Sequence, residues 1–260
     1  MRTIITLSAL LLITFTSCRK VINVKLNSAS SQYVIIGNVT NMAGPYSVSI
    51  TKTIDFQLDN NFPAVSGAVV IITDATIGNS DTLQESAPGI YNTSILTGQE
   101  GHTYNLYIKV ENEIFTASST MPAMVPLDSL YQEPATFGDG VSIVPVYRDP
   151  AGVKNYYHTV QFINNKQSKE IFLRSDILTD GQVVSRPLDL GTDTAMHTGD
   201  NVRIELQAVD SAIYQYYRNL VATINQNSAA PANPQTNITG AKLGYFSAHA
   251  ISASTITLHN

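Results

Sequence analysis

The chain has 260 residues and a formal net charge of −5, with 13% charged and 43% hydrophobic residues. This mildly acidic balance makes nucleic acid and anionic membrane surfaces poor partners for the chain as a whole. Cys18 is the only cysteine, which excludes an intramolecular disulfide and a cysteine-based metal or redox site.

Residues 1–17 have the pattern of a secretory signal peptide. Their mainly apolar run, residues 4–15, is shorter than the roughly 20 residues that a membrane span needs. Two small residues then precede Cys18, as lipoprotein signal peptidase requires. We therefore expect cleavage before Cys18, lipidation of its sulfur, and a lipidated tether over residues 18–31. The alternatives are an uncleaved anchor and an ordinary signal peptide followed by a free thiol.

From residue 32 the sequence predicts a β-sandwich. Hydrophobicity alternates with a period of 2, and turn signals recur about every 8–12 residues. The apolar run at residues 67–73 is typical of a buried central strand. Seven or so short strands of this kind predict an immunoglobulin- or transthyretin-like sandwich over residues 32–122. A likeness at this level concerns the fold alone.

A second β-rich domain is expected over residues 135–260. Three prolines between residues 122 and 134 indicate a linker at 123–134. Residues 201–210 alternate cleanly between apolar and polar side chains, which predicts a strand with one buried face. Residues 244–258 predict a final strand or a pair of strands.

One α-helix is predicted at about residues 211–225, with Asp210 or Ser211 as its N-cap. Tyr216 lies off the apolar stripe of this helix, with Arg218 nearby. Because exposed tyrosines bury large areas at little entropic cost, these two residues are candidate partner contacts; core packing is the alternative for the tyrosines. The stripe that predicts the helix comprises Ile213, Tyr217, Leu220, Val221 and Ile224.

The sequence offers no recognisable catalytic or metal-binding motif. The five histidines form no i,i+2 or i,i+4 pair, and no nucleophile elbow or phosphate-binding glycine loop occurs. We therefore expect no metal, no cofactor and no catalytic residue. Two alternatives stay open: a calcium site in the oxygen-rich stretch at 55–61, and a lipid-anchored hydrolase whose dispersed site includes His158 or His197.

Short segments along nearly the whole mature chain carry a family resemblance. They are residues 17–18, 34–38, 88–91, 101–104, 125–131, 199–202 with 205–206, 212–220, 231–234 and 244–246. Together they resemble the Bacteroidota lipoproteins catalogued as domain of unknown function 4249 (DUF4249). The resemblance supplies no catalytic residues.

This resemblance implies an outer-membrane lipoprotein linked to TonB-dependent nutrient uptake. The expected function is therefore that of a non-catalytic accessory component that binds a transporter or another envelope protein. Surface-exported lipoproteins of that phylum carry acidic residues soon after the cysteine, whereas Arg19 and Lys20 follow Cys18 here. The sequence thus leaves open whether the protein faces the periplasm or the cell surface.

Overall fold

The described part of the protein is built from sixteen strands and one α-helix. This computed structural model describes residues 31–54, 61–135, 140–188, 196–224 and 233–259. The signal peptide and nearly all of the tether expected from the sequence lie outside these ranges, as does Cys18. The strands are β1 (Tyr33–Thr40), β2 (Ser47–Lys52), β3 (Val69–Asp74), β4 (Asn79–Thr82), β5 (Gln84–Ala87), β6 (Ile90–Asn92), β7 (Thr103–Val110), β8 (Glu113–Thr120), β9 (Leu127–Pro134), β10 (Val141–Arg148), β11 (Tyr156–Ile163), β12 (Lys166–Gln167), β13 (Phe172–Ser175), β14 (Val183–Ser185), β15 (Asn201–Ala208) and β16 (Leu243–Thr257).

A nine-stranded sheet runs through the whole described part of the chain. Its order is β12-β11-β15-β16-β1-β2-β6-β5, with β13 paired to β11. The last strand, β16, lies between β15 and β1. Its first half pairs in parallel with β1, and its second half pairs antiparallel with β15.

A four-stranded sheet, β4-β3-β7-β8, packs against the part of the large sheet that contains β16, β1, β2 and β6. Apolar side chains alternate inward along both sheets and meet in one buried core. Members of that core include Ile35, Val48, Ile72, Ile108 and Phe115. The prediction of a mainly β, sandwich-like fold is confirmed.

A three-stranded sheet, β14-β10-β9, forms the remaining β structure among the described residues. Residues 123–134 were expected to be a linker, but most of them belong to β9, which pairs with β10 along its length. The strand accommodates its proline because Pro134 is its last residue and β9 is an edge strand. Leu127 and Leu130 pack against the apolar cluster around Ile143.

The structure does not divide into the two domains expected at 32–122 and 135–260. The described residues from Ser31 onward form one compact unit. The physical reason is the position of β16, because backbone hydrogen bonds on its two edges join the N-terminal sandwich to the C-terminal strands. A boundary near residue 123 would have to cut through this continuous sheet.

The predicted helix is present as α1 (Ser211–Ile224). It packs on β11, β13 and β16. Of its apolar stripe, Ile213 is buried and Leu220 is half-buried, whereas Ile224 is 60% exposed. The helix therefore covers the sheet with its first turns. Within the described residues, no helix has the length and hydrophobicity needed to cross a membrane.

Candidate functional site

The start of α1 is fixed to both sheets through Asp210. One carboxylate oxygen of Asp210 accepts the backbone N–H of Ile213 at 2.9 Å, so the expected N-cap is present. The other oxygen accepts the hydroxyl of Ser119 on β8 at 2.5 Å. The Ser119 oxygen in turn accepts the backbone N–H of Ala248 on β16 at 2.8 Å. This chain of hydrogen bonds sets where the helix begins on the sheet.

Aromatic rings fill the space between α1 and the large sheet. Tyr217 stacks on His158 of β11, with ring centroids 4.1 Å apart. The Tyr217 hydroxyl donates to the Tyr245 hydroxyl of β16 at 2.9 Å. Tyr216 packs against the same Tyr245 ring at 4.9 Å. Burial raises the pKa of Tyr216 and of Tyr217.

The candidate partner-contact residues therefore differ in their surroundings. Tyr216 was expected on the polar side of the helix, but its half-buried ring packs on Tyr245. The helix contacts β16 as well as β11 and β13, so a ring on its flank still reaches Tyr245 of β16. Arg218 is exposed, and its role as a partner contact stays a prediction.

Two buried histidines lie beneath the helix. The His158 Nδ1 lies 3.1 Å from the Gln207 side-chain carbonyl oxygen, which can only accept, so the imidazole donates; the His249 Nδ1 lies 3.0 Å from the Ser247 hydroxyl. Burial lowers the pKa of His158 to about 4 and that of His249 to about 3, where the nearby His158 adds to the effect. Both imidazoles are therefore neutral near pH 7. His158 is covered by the Tyr217 ring of α1, and both histidine side chains are buried.

A separate surface groove is the larger candidate site. It has a volume of about 570 Å³ and lies across β7, β8 and the segment before β16. A smaller groove of about 290 Å³ adjoins it at Asn237 and reaches the first turns of α1. We call the two together the neutral groove. Its polar side chains are Asn105, Tyr107, Thr116, Ser118, Ser211, Gln215, Gln235, Thr236, Asn237 and Thr239.

Strand alternation places the groove side chains on the outer face of the four-stranded sheet. On β7, Leu106 and Ile108 point into the core, so Asn105 and Tyr107 point outward. On β8 the buried Ala117 likewise separates Thr116 from Ser118. The two strands therefore present a row of amide, phenol and hydroxyl groups to solvent.

Backbone pairing holds the other wall of the groove in place. Thr239 exchanges two backbone hydrogen bonds with Thr116, at 2.8 and 3.2 Å. The Asn237 side chain donates to the Phe246 carbonyl at 2.7 Å and accepts the Phe246 N–H at 3.0 Å. Ser118 of β8 and Asn237 of this segment both line the groove.

The polar side chains that line the neutral groove can form hydrogen bonds but carry no formal charge. Among the described residues, those that line it carry amides, hydroxyls and one phenol, and no carboxylate, imidazole or amine. Such a surface can donate to and accept from a neutral polar ligand, while Tyr107 offers an aromatic edge or face. Sequence reasoning missed this site because Asn237 and Thr239 lie in a loop that carries no motif.

The remaining sequence-based candidates do not converge. His197 is exposed beside Asp200, whereas His158 is buried. Within the described ranges, no group of three or more His, Cys, Asp or Glu side chains could hold a metal ion. The calcium candidate at 55–61 lies outside the described residues except for Asn61.

A family model described as "Domain of unknown function (DUF4249)" matches residues 19–255 of the chain. The match covers all of the strands and the helix described above except the last two residues of β16. No curated protein matches the chain.

Proposed function

The chain belongs to the DUF4249 family, and we propose that it is a non-catalytic, lipid-anchored outer-membrane protein that binds a neutral polar ligand or partner segment. In this proposal it is an accessory component of TonB-dependent nutrient uptake. The observation that carries the binding function is the neutral groove. The sequence of residues 1–18 supports the anchor.

The shape and lining of the groove support binding over reaction chemistry. Its volume of about 570 Å³ falls within the range of small-molecule sites, roughly 300–1,000 Å³. General acid–base catalysis needs a titratable group within hydrogen-bonding reach of the substrate. Tyr107 is the one titratable side chain among the described lining residues, which include no carboxylate, imidazole or amine to act with it, whereas the amides and hydroxyls suit a glycan or an extended peptide equally.

Anchoring would strengthen a weak interaction of this kind. A lipid anchor confines the protein to the plane of its membrane partner and so raises the effective concentration of each for the other. A single acyl chain binds a membrane only marginally, and two or three chains make the attachment effectively permanent. A modest affinity in the groove would then suffice.

The anchor gives the first prediction. Replacing Cys18→Ala should abolish incorporation of labelled fatty acid and leave an unprocessed or mislocalised precursor, because the sulfur is the acyl acceptor. Metabolic labelling and membrane fractionation measure this directly. A fully processed Cys18→Ala protein that partitions into detergent like the wild type would reject the anchor.

The groove gives the second prediction. A photo-crosslinking amino acid at position 105, on the exposed outer face of β7, should capture a specific envelope component in cells producing the full chain. The matched control places the same crosslinker at position 166, which is exposed on β12 outside the groove. Mass spectrometry of the 105-specific product identifies the partner, and we expect a TonB-dependent transporter or its ligand.

Two results would contradict this function. One is a set of crosslinked products that is the same at positions 105 and 166. The other is turnover of a glycosidase, esterase, peptidase or phosphatase substrate that survives purification and is lost when one His or Asp is changed. The second result would favour the hydrolase alternative.

A further inference from the structure

The outer edge of β8 borders the neutral groove. β8 is the last strand in the order β4-β3-β7-β8, so one of its edges faces no other strand of that sheet. Thr116 turns its backbone N–H and carbonyl to this edge and exchanges hydrogen bonds with Thr239 there. Because the backbone groups of successive residues alternate between the two edges of a strand, those of Ser118 and Thr120 point the same way.

The outward backbone groups of Ser118 and Thr120 have no hydrogen-bond partner among the described residues. Asn237, two residues before Thr239, supplies none, because its side chain bonds to the backbone of Phe246 instead. Ser118 and Asn237 both line the neutral groove, and Ser118 and Thr120 are exposed. A ligand in the groove therefore lies beside free backbone donors and acceptors of β8.

The edge of β8 lacks the side chains that usually stop another strand from pairing. Natural edge strands are very short, or they carry charged residues or proline. β9, an edge strand of the same length as β8, carries Asp128, Glu133 and Pro134. After its first residue, Glu113, β8 has neither a charged residue nor a proline. This edge is therefore suited to accept a further strand.

We propose that the neutral groove binds an extended, uncharged polypeptide segment, which adds to the edge of β8 as a fifth strand of the sheet. The inference rests on the proposed function and names its ligand class. An extended peptide repeats its N–H and carbonyl groups about every 6.8 Å along one edge, as β8 does. A glycan presents hydroxyl groups without this repeat, so the free backbone groups favour the peptide.

The groove also restricts the sequence of the segment. The described lining residues carry no charge, so a charged side chain in the groove would lose hydration without gaining an ion pair. Proline opposite Ser118 would remove the N–H that pairs with the Ser118 carbonyl. Ser118 and Asn105 would lie beside the side chains of the added strand. We therefore expect a segment without charged residues or proline.

A comparison of Ser118→Pro with Ser118→Ala tests the added strand. Both variants lose the hydroxyl, and only proline loses the outward N–H. Both should fold, because proline is tolerated where an edge strand turns its N–H to solvent. In cells that produce the full chain with the crosslinker at position 105, we expect Ser118→Pro to lower the yield of the 105-specific product about tenfold or more. Ser118→Ala should leave the yield within about twofold.

Denaturant titration of the purified variants reports whether each one folds. If Ser118→Pro does not fold, Thr120→Pro against Thr120→Ala repeats the comparison two residues further along the same edge. Equal yields from a proline variant and its alanine control, both folded, would overturn the added strand.

The chemical nature of the 105-specific product gives a readout that needs no variant and separates this inference from the proposed function. Fragmentation in the mass spectrometer should place the adduct in a polypeptide segment without charged residues or proline. A glycan or a lipid as the adduct would overturn the added strand and keep the groove as a binding site. A crosslink to another part of this same chain would also overturn it, because the edge would already be occupied. Products that are the same at positions 105 and 166 would reject both proposals.

Discussion

Replacing Gly244→Ala should prevent the protein from folding to its native state. Gly244 pairs with Ile35 at the start of the parallel β1–β16 ladder and has a φ of +94°. A Cβ atom there would lie 1.8 Å from the Ile35 carbonyl oxygen. Backbone atoms cannot yield at that distance without separating the two strands. We expect a loss above about 4 kcal/mol, which is comparable to the stability of a typical domain.

Gly199→Ala is the matched control for this substitution. Gly199 has a similar φ of +89°, but a Cβ atom there would meet nothing within 4 Å. Gly199→Ala should lower the free energy of unfolding only by the backbone strain of about 1–2 kcal/mol. Circular dichroism and denaturant titration compare the two variants. If Gly244→Ala and Gly199→Ala unfold at the same denaturant concentration, the close β1–β16 pairing is wrong.

Acid should destabilise the protein well above the pH at which ordinary carboxylates titrate. The folded-state pKa is about 4 for His158 and about 3 for His249, below the unfolded value of about 6.5. The unfolded chain therefore binds more protons between these values, so the stability present near pH 7 is lost as the pH falls below 6.5. We expect a loss of about 2–3 kcal/mol for each histidine by pH 4.5.

The double substitution His158→Asn with His249→Asn should flatten this pH dependence between 6.5 and 4.5. Asparagine keeps a hydrogen-bonding group near the position of each Nδ1 but does not titrate. His197→Asn, on an exposed side chain, is the control and should leave the wild-type slope intact. Urea titrations at several pH values measure the slopes.

The raised pKa of Asp149 acts in the opposite direction, stabilising the fold as the pH falls. Asp149 is unchanged in every variant, so its contribution to the pH dependence of stability cancels when the variants are compared with the wild type. A double variant as acid-sensitive as the wild type would show that the two imidazoles are not buried and neutral.

Local sequence patterns predicted the helices and strands that depend on residues close together in the chain. The helix was expected at about 211–225 and occupies Ser211–Ile224, because its apolar spacing and its Asp210 cap both act within a few residues. The alternation that predicted a strand at 201–210 likewise corresponds to β15 (Asn201–Ala208), in which every second side chain is buried. The mainly β class follows from the same patterns.

Features that depend on distant pairings were not predictable in this way. The prolines around β9 indicated a linker, but pairing with β10 makes the segment a strand. Tyr216 was assigned to the polar face of α1, and only the position of Tyr245 beneath the helix shows where its ring packs. The neutral groove needs Ser118 beside Asn237, two residues that no sequence spacing connects.

The position of β16 also sets the order in which the chain can become folded. Asn41 hydrogen-bonds through its side chain to Ile251, 210 residues later. The β1–β16 ladder cannot form until the chain has been synthesised as far as β16, and closing so long a loop makes folding slow. If the chain crosses a membrane during synthesis, it should cross before this ladder forms, and the edge of β1 that pairs with β16 should stay unpaired until β16 emerges. A chain truncated before β16 should therefore persist as an aggregation-prone species that depends on chaperones.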